Sequence, residues 1–230
     1  MSRVLVTAGG TREPIDGVRC IANFSSGRTG AVIADAFAAA GWDVVHVHAV
    51  DAVRATHPDV VGVRYGSVAD LDTACREVLA GVVRVDVVVH ASAVSDFVVD
   101  AVVVDGDRHP APLVGKLDSA KKLSIELVPA PKILPRLKGY STHGEPLLVG
   151  FKLTNGASAE AREAAVAAQF DRSPVDVVVH NDLTEMDHRV DRHRATVRFR
   201  SGEVVTVTTN AELAAALIAL ADTAVAAGRA

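Results

Sequence analysis

The stretch Val4-Leu-Val-Thr-Ala-Gly-Gly-Thr-Arg-Glu-Pro-Ile-Asp-Gly-Val-Arg-Cys-Ile-Ala-Asn-Phe-Ser-Ser-Gly-Arg-Thr-Gly30 begins with an apolar run, Val4 to Val6, that predicts a buried parallel strand. Gly9 and Gly10 follow and permit a tight turn with close backbone approach to a ligand. Farther on, Ser25-Ser-Gly-Arg-Thr-Gly30 opens a helical pattern over 31–40. A Ser/Gly-rich turn feeding a helix presents free backbone N–H groups and the positive end of the helix dipole, a ready site for phosphate. A strand, a connector and a helix cap would explain the pattern without a ligand. The connector, however, carries Arg12, Asp16, Arg19 and Asn23, and long ordered loops are usually functional.

Outward from this stretch, Gly41 ends the first helix, 42–50 reads as a second strand and 60–65 as a third. Ser67 caps a helix over 68–80, and 85–91 is a strongly apolar strand. Strand, helix, strand, helix, strand is the doubly wound α/β signature, with right-handed crossovers. The regularity then breaks. Residues 91–97 follow a strand directly, where open α/β sheets place ligand-binding groups. Residues 100–115 read as irregular, Lys116 to Lys122 as a basic segment, 123–128 as a strand and 132–138 as a short helix behind Pro129 and Pro131. The sheet pattern resumes at 146–153. Ser158 caps a helix to about 170, and 175–180 is another buried strand. A hairpin is expected from 196–200 and 204–208 around Ser201-Gly-Glu203, and Asn210 is read as the cap of a last Ala/Leu-rich helix. The expectation is one α/β domain over 1–230. It is a doubly wound, Rossmann-like, mainly parallel sheet with an irregular flap near 98–130 and a C-terminal hairpin plus helix.

Composition narrows the function. Of 230 residues 49% are hydrophobic, enough for a sizeable core. A formal net charge of −4 and 4% aromatic residues argue against general nucleic-acid binding and base-stacking platforms. Cys20 and Cys75 do not make a disulfide framework, so a reducing compartment is the default. Only three apolar residues separate Arg3 from Thr7, which is no signal-peptide pattern, and no apolar run approaches membrane-spanning length. A cytoplasmic protein is expected.

Several chemistries lack their residues. The G-x-G-x-x-G fingerprint is absent after the first strand. Neither Tyr65 nor Tyr140 has a lysine four residues on, which counts against an NAD(P)-dependent short-chain reductase on the same fold. His46 and His48 share a strand face without ligand partners at suitable spacing, and Asp187-His188 to His193 fits no zinc pattern. Neither cysteine shares a motif with a histidine, and there is no Walker loop. What remains is a phosphate-handling site made of helix-N-terminal amides, Asp96 after a strand and Lys116 on a loop. Asp96 suits Mg²⁺, which takes one or two carboxylates plus substrate phosphates, and Lys116 suits developing phosphate charge. A turn cap for Asp96 and a solvated surface position for Lys116 are the plain alternatives. A non-catalytic nucleotide-sensing domain is a further one.

At this point the residues resemble a known family. Thr7-Ala-Gly-Gly-Thr-Arg-Glu-Pro-Ile-Asp16, Val18-Arg19, Ile21-Ala-Asn23 and Ser25-Ser-Gly27 look like the opening signature of phosphopantothenoylcysteine synthetase. Ser92-Ala-Val-Ser-Asp-Phe97 is similar to that family's Ala-Ala-Val-Ala-Asp-aromatic element. Lys116, the run Leu123 to Leu134, Val149-Gly-Phe-Lys-Leu153 and Asn181-Asp-Leu183 follow in the family's order, so the resemblance covers nearly the whole chain. It is to the stand-alone form, without the flavin-dependent decarboxylase domain often fused ahead of it. The resemblance implies ligation of 4′-phosphopantothenate to cysteine in coenzyme A synthesis, through an acyl-nucleotide intermediate. The nucleotide is CTP in most bacteria and ATP in eukaryotes, with CTP favoured here, and Mg²⁺ as cofactor. It also implies a homodimer, with 98–130 as candidate interface, and a separate phosphopantothenoylcysteine decarboxylase as partner.

Roles carry over residue by residue. Asn23 matches the asparagine that holds the acyl intermediate, and Arg19, Ser26, Gly27 and Ala93 match substrate-binding positions. Gly9, Gly10, His90, Ala91, Ser92, Pro131, Lys132, Ile133, Leu134 and Phe151 match nucleotide-pocket positions. Asp96 matches the metal-facing aspartate and Lys116 the loop lysine. There are departures: Phe24 stands where many members have His, and the basic cluster after Lys116 is displaced to Lys121 and Lys122. The helix after Phe151 lacks the two lysines that contact the nucleotide in the fused bacterial form, and only Arg162 and Arg172 are nearby.

Overall fold

Valine-rich runs set the centre of the sheet, as β-branched residues pack well on a pleated surface buried on both faces. The computed structural model describes residues 1–117, 122–187 and 192–228, and in the last segment the backbone alone of Arg192. In chain order the elements are β1 (Arg3–Gly10), β2 (Arg12–Pro14), β3 (Cys20–Ala22), α1 (Arg28–Ala39), β4 (Asp43–Ala49), β5 (Val61–Tyr65), α2 (Val68–Leu79), β6 (Val87–Ala93), β7 (Phe97–Val104), β8 (Asp107–Pro110) and β9 (Leu123–Pro129). After two 3₁₀ turns come β10 (Leu147–Thr154), α3 (Ala159–Arg172), β11 (Val177–Asp187), β12 (Arg192–Phe199), β13 (Val204–Val207) and α4 (Asn210–Ala226).

The main sheet runs β13-β12-β11-β10-β6-β1-β4-β5. Its six parallel members, read from β5, have the order 3-2-1-4-5-6 in chain succession, the Rossmann arrangement. The order reverses between β1 and β6, which pair from Val4↔Val87 to Gly10↔Ala93. Alternate side chains fill two cores. Val4, Val6, Val87 and Val149 pack with Ile33 and Phe37 of α1 and Leu213 and Leu217 of α4. Leu5, Val88 and Leu148 pack on the opposite face with Leu71 and Leu79 of α2, Ile133 and Leu137. Each such fully buried aliphatic or aromatic side chain contributes about 1.5–3 kcal/mol relative to exposure.

Local chemistry places most helix ends. Ser67 and Asp70 form a reciprocal capping box at α2, and the Ser158 hydroxyl accepts from the Ala161 amide at α3. α1 starts differently. Its cap is Gly27 at φ 72, which has no side chain to offer, and the first-turn Arg28 amide donates to the Ser26 hydroxyl at 3.4 Å. At α4 the cap is Thr209, whose hydroxyl accepts from the Glu212 amide, and not Asn210, which is the first helical residue and is buried.

Other boundaries also move. Residues 100–110 are not irregular, while 111–115 belong to no strand or helix: β7, β8 and β9 form a separate antiparallel sheet in the order β8-β7-β9. Asp105 at φ 52 and Gly106 at φ 99 make the two-residue turn between β7 and β8, since both central positions of such a turn need positive φ. The expected helix over 132–138 is two 3₁₀ turns, Leu134–Arg136 and Lys138–Tyr140, with Pro135 withholding an amide at the start. β11 continues past His180 to Asp187, through a register shift between Asn181 and Met186. The C-terminal hairpin is present, with its first strand starting at Arg192. Lys121 and His188 lie outside the described residues.

Candidate functional site

The loops after β1 and β6 meet where the strand order reverses, and three glycines permit their approach. Gly9 sits at φ 94, and a Cβ there would lie 2.6 Å from Ala49 Cβ and 2.8 Å from Ala52 Cβ. A Cβ on Gly30 would lie 2.5 Å from Ala8 Cβ, so α1 rests directly on β1. Gly10 stacks on the Asn23 carbonyl, which a side chain would overlap. The Val53 amide donates to the Ser26 carbonyl at 2.8 Å and ties the loop after β4 to the start of α1.

The walls of the cleft are buried polar groups with their partners in place. The Thr7 hydroxyl accepts from the Ser92 amide at 3.2 Å and lies 2.9 Å from His90 Nδ1. Burial pushes His90 down to about 4, so the ring is neutral at pH 7. The Tyr65 hydroxyl lies 3.0 Å from the Ala8 and Gly9 carbonyls and from Ser92 Oγ, and burial raises its pKa. Thr11 is fully buried. Its amide donates to the Ala93 carbonyl at 3.2 Å and its hydroxyl accepts from the Ser95 amide at 2.9 Å.

Among the positions singled out by sequence, three pairs come together. The Asn23 amide Nδ2 donates to the Ala93 carbonyl at 3.3 Å. Arg19 donates to Asp16 at 2.9 Å and reaches the Leu117 carbonyl at 3.4 Å, next to exposed Lys116. Lys132 Nζ lies 2.5 Å from Asp96 Oδ1, and the Ala130 amide donates to the Asp96 carbonyl at 2.9 Å. Gly9, Gly10, Ser26, Gly27, Ala91 and Ser92 all lie along the same seam of strand ends and loops.

Other expected positions are not assembled as side chains. His90 is committed to Thr7 inside the wall and can offer a ligand only its backbone. Ile133 is 2% exposed and belongs to the core, and Leu134 packs beside it. Phe151 packs on the opposite face of the sheet, so it does not stand beside Ile133 and Leu134. Arg162, near the place of the missing lysines, already has partners: it donates to the Ala157 carbonyl at 2.9 Å and to Glu185 at 2.7 Å, and pairs with Asp182 at 3.4 Å. Both tyrosines are occupied away from the role a reductase needs, Tyr65 in the wall and Tyr140 on Asp72 of α2.

Two aspartates quoted in the sequence motifs were given no role of their own there. Asp182 is 1% exposed and accepts from the Thr154 and Thr184 hydroxyls and the Gly156 and Thr184 amides at 2.6–3.0 Å. Those bonds, the Thr184 hydroxyl foremost, hold its carboxyl far below the usual range and fix the turn between β10 and α3. The run Asn181-Asp-Leu was visible only as part of the resemblance. Asp16 is the other, and its side chain is fully buried. Among the described residues no group of three or more His, Cys, Asp or Glu side chains is placed to hold a metal. Asp96, with its side chain three-quarters exposed, offers one carboxylate at the cleft, a donor set that fits an ion arriving with phosphate oxygens.

Fold and site together define a Rossmann-like α/β protein with its cleft at the reversal of strand order. The chain belongs to the DNA/pantothenate metabolism flavoprotein C-terminal domain family, whose profile matches residues 1–224. It is 38% identical over 181 residues to the coenzyme A biosynthesis bifunctional protein CoaBC of Thermococcus kodakarensis, a match covering 79% of this chain and 41% of that protein. The chain thus spans about two fifths of the length of that curated relative. The DNA/pantothenate metabolism flavoprotein from Streptococcus pneumoniae has the same fold, with a TM-score of 0.83 at 24% identity over 97% of this chain and 99% of that one. A Cab2 mutant in complex with phosphopantothenate-cysteine superposes with a TM-score of 0.73 at 20% identity over 100% of this chain and 89% of that one.

Proposed function

We propose that this chain is a ligase that joins 4′-phosphopantothenate to L-cysteine through an acyl-nucleotide intermediate, in coenzyme A biosynthesis. The observation that carries the reading is the meeting of Asn23 with Ala93, 70 positions apart in sequence, beside an α1 N-terminus whose cap residue is Gly27. It joins the two most specific motif blocks in one cleft. Family membership and the phosphopantothenate-cysteine complex of the Cab2 mutant support the substrate class.

A carboxylate is a poor acyl donor until its oxygen carries a good leaving group. In the first half-reaction that oxygen attacks the α-phosphate of the nucleotide, a P–O bond forms and pyrophosphate leaves. In the second, the cysteine amine attacks the acyl carbon, a C–N bond forms, the nucleoside monophosphate leaves and the amine proton passes to water. The α1 amides bind substrate oxygen, Asn23 orients the acyl group, and Lys116 meets developing phosphate charge. Asp96 is the residue that would hold Mg²⁺, which supplies charge neutralisation at the phosphates. No enzyme nucleophile is required. CTP is the favoured nucleotide and ATP the alternative.

The three-stranded sheet is the proposed homodimer face, since Phe97, Leu123, Leu127 and Val128 are 39–51% exposed. The product keeps the cysteine carboxylate on the nitrogen-bearing carbon beside the thiol-bearing one, and a separate decarboxylase would consume it. The test is pyrophosphate release with CTP or ATP in the presence of phosphopantothenate and cysteine. Release with one nucleotide is expected, and none with either overturns the ligase.

A further inference from the structure

Asp16 uses its two carboxylate oxygens for two different purposes. Oδ1 accepts from the Val18 amide at 2.8 Å and the Arg19 amide at 2.7 Å, closing the turn in which Asp16 itself sits. Oδ2 accepts from the Arg19 guanidinium at 2.9 Å and from the Leu117 amide at 3.0 Å, 101 positions along the chain. Four donors fill the four lone-pair positions of an ionised carboxylate. The Leu117 amide foremost holds the Asp16 carboxyl below its usual range, so the group remains ionised at neutral pH.

The Oδ2 bond is one rung of a longer seam. The Leu113 amide donates to the Ile15 carbonyl at 3.0 Å, and the Gly17 amide donates to the Gly115 carbonyl at 2.9 Å. The Arg19 guanidinium reaches the Leu117 carbonyl at 3.4 Å. A Cβ on Gly17 would lie 3.2 Å from the Gly115 carbonyl oxygen, a tight contact that marks how closely the two backbones approach. Lys116 is therefore flanked by two residues whose backbones are tied to the 15–19 turn.

We infer that Asp16 is a positioning residue that locks the Lys116 loop and Arg19 into a single unit over the cleft. The inference rests on the ligase reading for the roles of Lys116 and Arg19, but the lock itself is a matter of geometry. A purely local role would be a closed turn, and that needs Oδ1 alone. Asp16→Asn separates the two: the amide oxygen can keep the Val18 and Arg19 bonds, while the NH₂ in place of Oδ2 cannot accept from Leu117 or pair with the guanidinium.

The experiment compares Asp16→Asn, Lys116→Gln and the double variant in the full chain. Two readouts are taken: amide hydrogen exchange at 113–117 and the rate of acyl-nucleotide formation. Asp16→Asn should speed exchange of the Leu117 amide about tenfold or more, because that amide loses its acceptor, and exchange of the Leu113 amide, whose own bond to the Ile15 carbonyl remains, by a smaller factor as the seam beside it loosens. It should slow acyl-nucleotide formation on the order of tenfold to a hundredfold, the scale of a misplaced catalytic group. The double variant should be no slower than the slower single variant, because a displaced lysine and an absent one are equivalent. Unchanged exchange at 113–117, or rate losses that multiply in the double variant, would overturn the lock. Wild-type protein that turns over neither nucleotide would remove the ligase reading, while the exchange data would still decide the lock.

Discussion

The inner wall of the cleft and its rim are built on opposite terms. In the wall, Thr7, Thr11, Tyr65 and His90 are all at most 5% exposed, and their polar groups are bonded within strands β1, β5 and β6 and the loops that follow. At the rim, Asn23, Lys116, Asp96 and Lys132 are exposed, and the bonds that Asn23, Asp96 and Lys132 make cross from one loop to another. An unpaired group in the wall would carry a desolvation penalty of about 1–3 kcal/mol, so the wall cannot exchange partners. An exposed rim pair has a net worth of about 0–1 kcal/mol and can be given up to a ligand. Rigidity and reactivity are thus assigned to different residues a few positions apart in the same loops.

The contrast can be broken most severely in the wall. Gly9→Ala places a methyl at φ 94 against Ala49 and Ala52 and should cost about 3 kcal/mol of stability, read as a drop in the urea midpoint at constant slope. Midpoint change under about 0.5 kcal/mol would show the loop after β1 to be as yielding as the rim. Acid sharpens the contrast next. Burial lowers His90 and His46 to about 4 from 6.5, so the unfolded chain binds more protons between pH 6.5 and pH 4. Stability should fall as pH drops through that window, by up to about 3 kcal/mol for each histidine. His46→Gln should flatten the fall by roughly its share, measured by denaturant titration at several pH values.

At the rim the same logic predicts function without stability. Lys116→Gln should fold normally and bind nucleotide, and should make acyl-nucleotide about a hundredfold more slowly, equivalent to about 2.7 kcal/mol of transition-state stabilisation. Single-turnover quench experiments would measure this, and near-normal formation would return Lys116 to an ordinary surface position. The smallest effect is expected at Lys132. Its pair with Asp96 is well exposed on both sides, so Lys132→Gln should shift the unfolding midpoint by less than about 0.5 kcal/mol.

Much of the wall was legible in sequence and little of the rim was. Val4 to Val6 and the apolar run at 85–91 announced the central strands, because a strand buried on both faces leaves a continuous apolar run. Of the sheet of β7, β8 and β9 only β9 was read, as 123–128, and the β7–β8 hairpin was missed although Asp105-Gly106 is a strong hairpin signal. Its flanking run, Val98 to Val104, is interrupted by Asp100 and a register shift between Val99 and Ala101, which hides the alternation that marks a strand. Thr209 and Asn210 are both good caps, and only the burial of Asn210 decides between them. Asn23 and Arg19 took their roles from motif resemblance and Asp96 from its place after a strand, none of them from periodicity. Their partners Ala93, Leu117 and Lys132 are 36 to 98 positions away, and local rules do not see such distances. The second oxygen of Asp16 is invisible for the same reason.

Ala52 illustrates what such packing means for sequence drift. Its methyl lies 2.8 Å from where a Cβ on Gly9 would stand and 2.6 Å from where one on Gly27 would stand. Three positions from three separate segments therefore share one methyl's worth of room. A larger residue at any of them closes the space for the other two. Homologues should hold 9 and 27 as glycine, which their positive φ also demands, and 52 as a residue no larger than alanine.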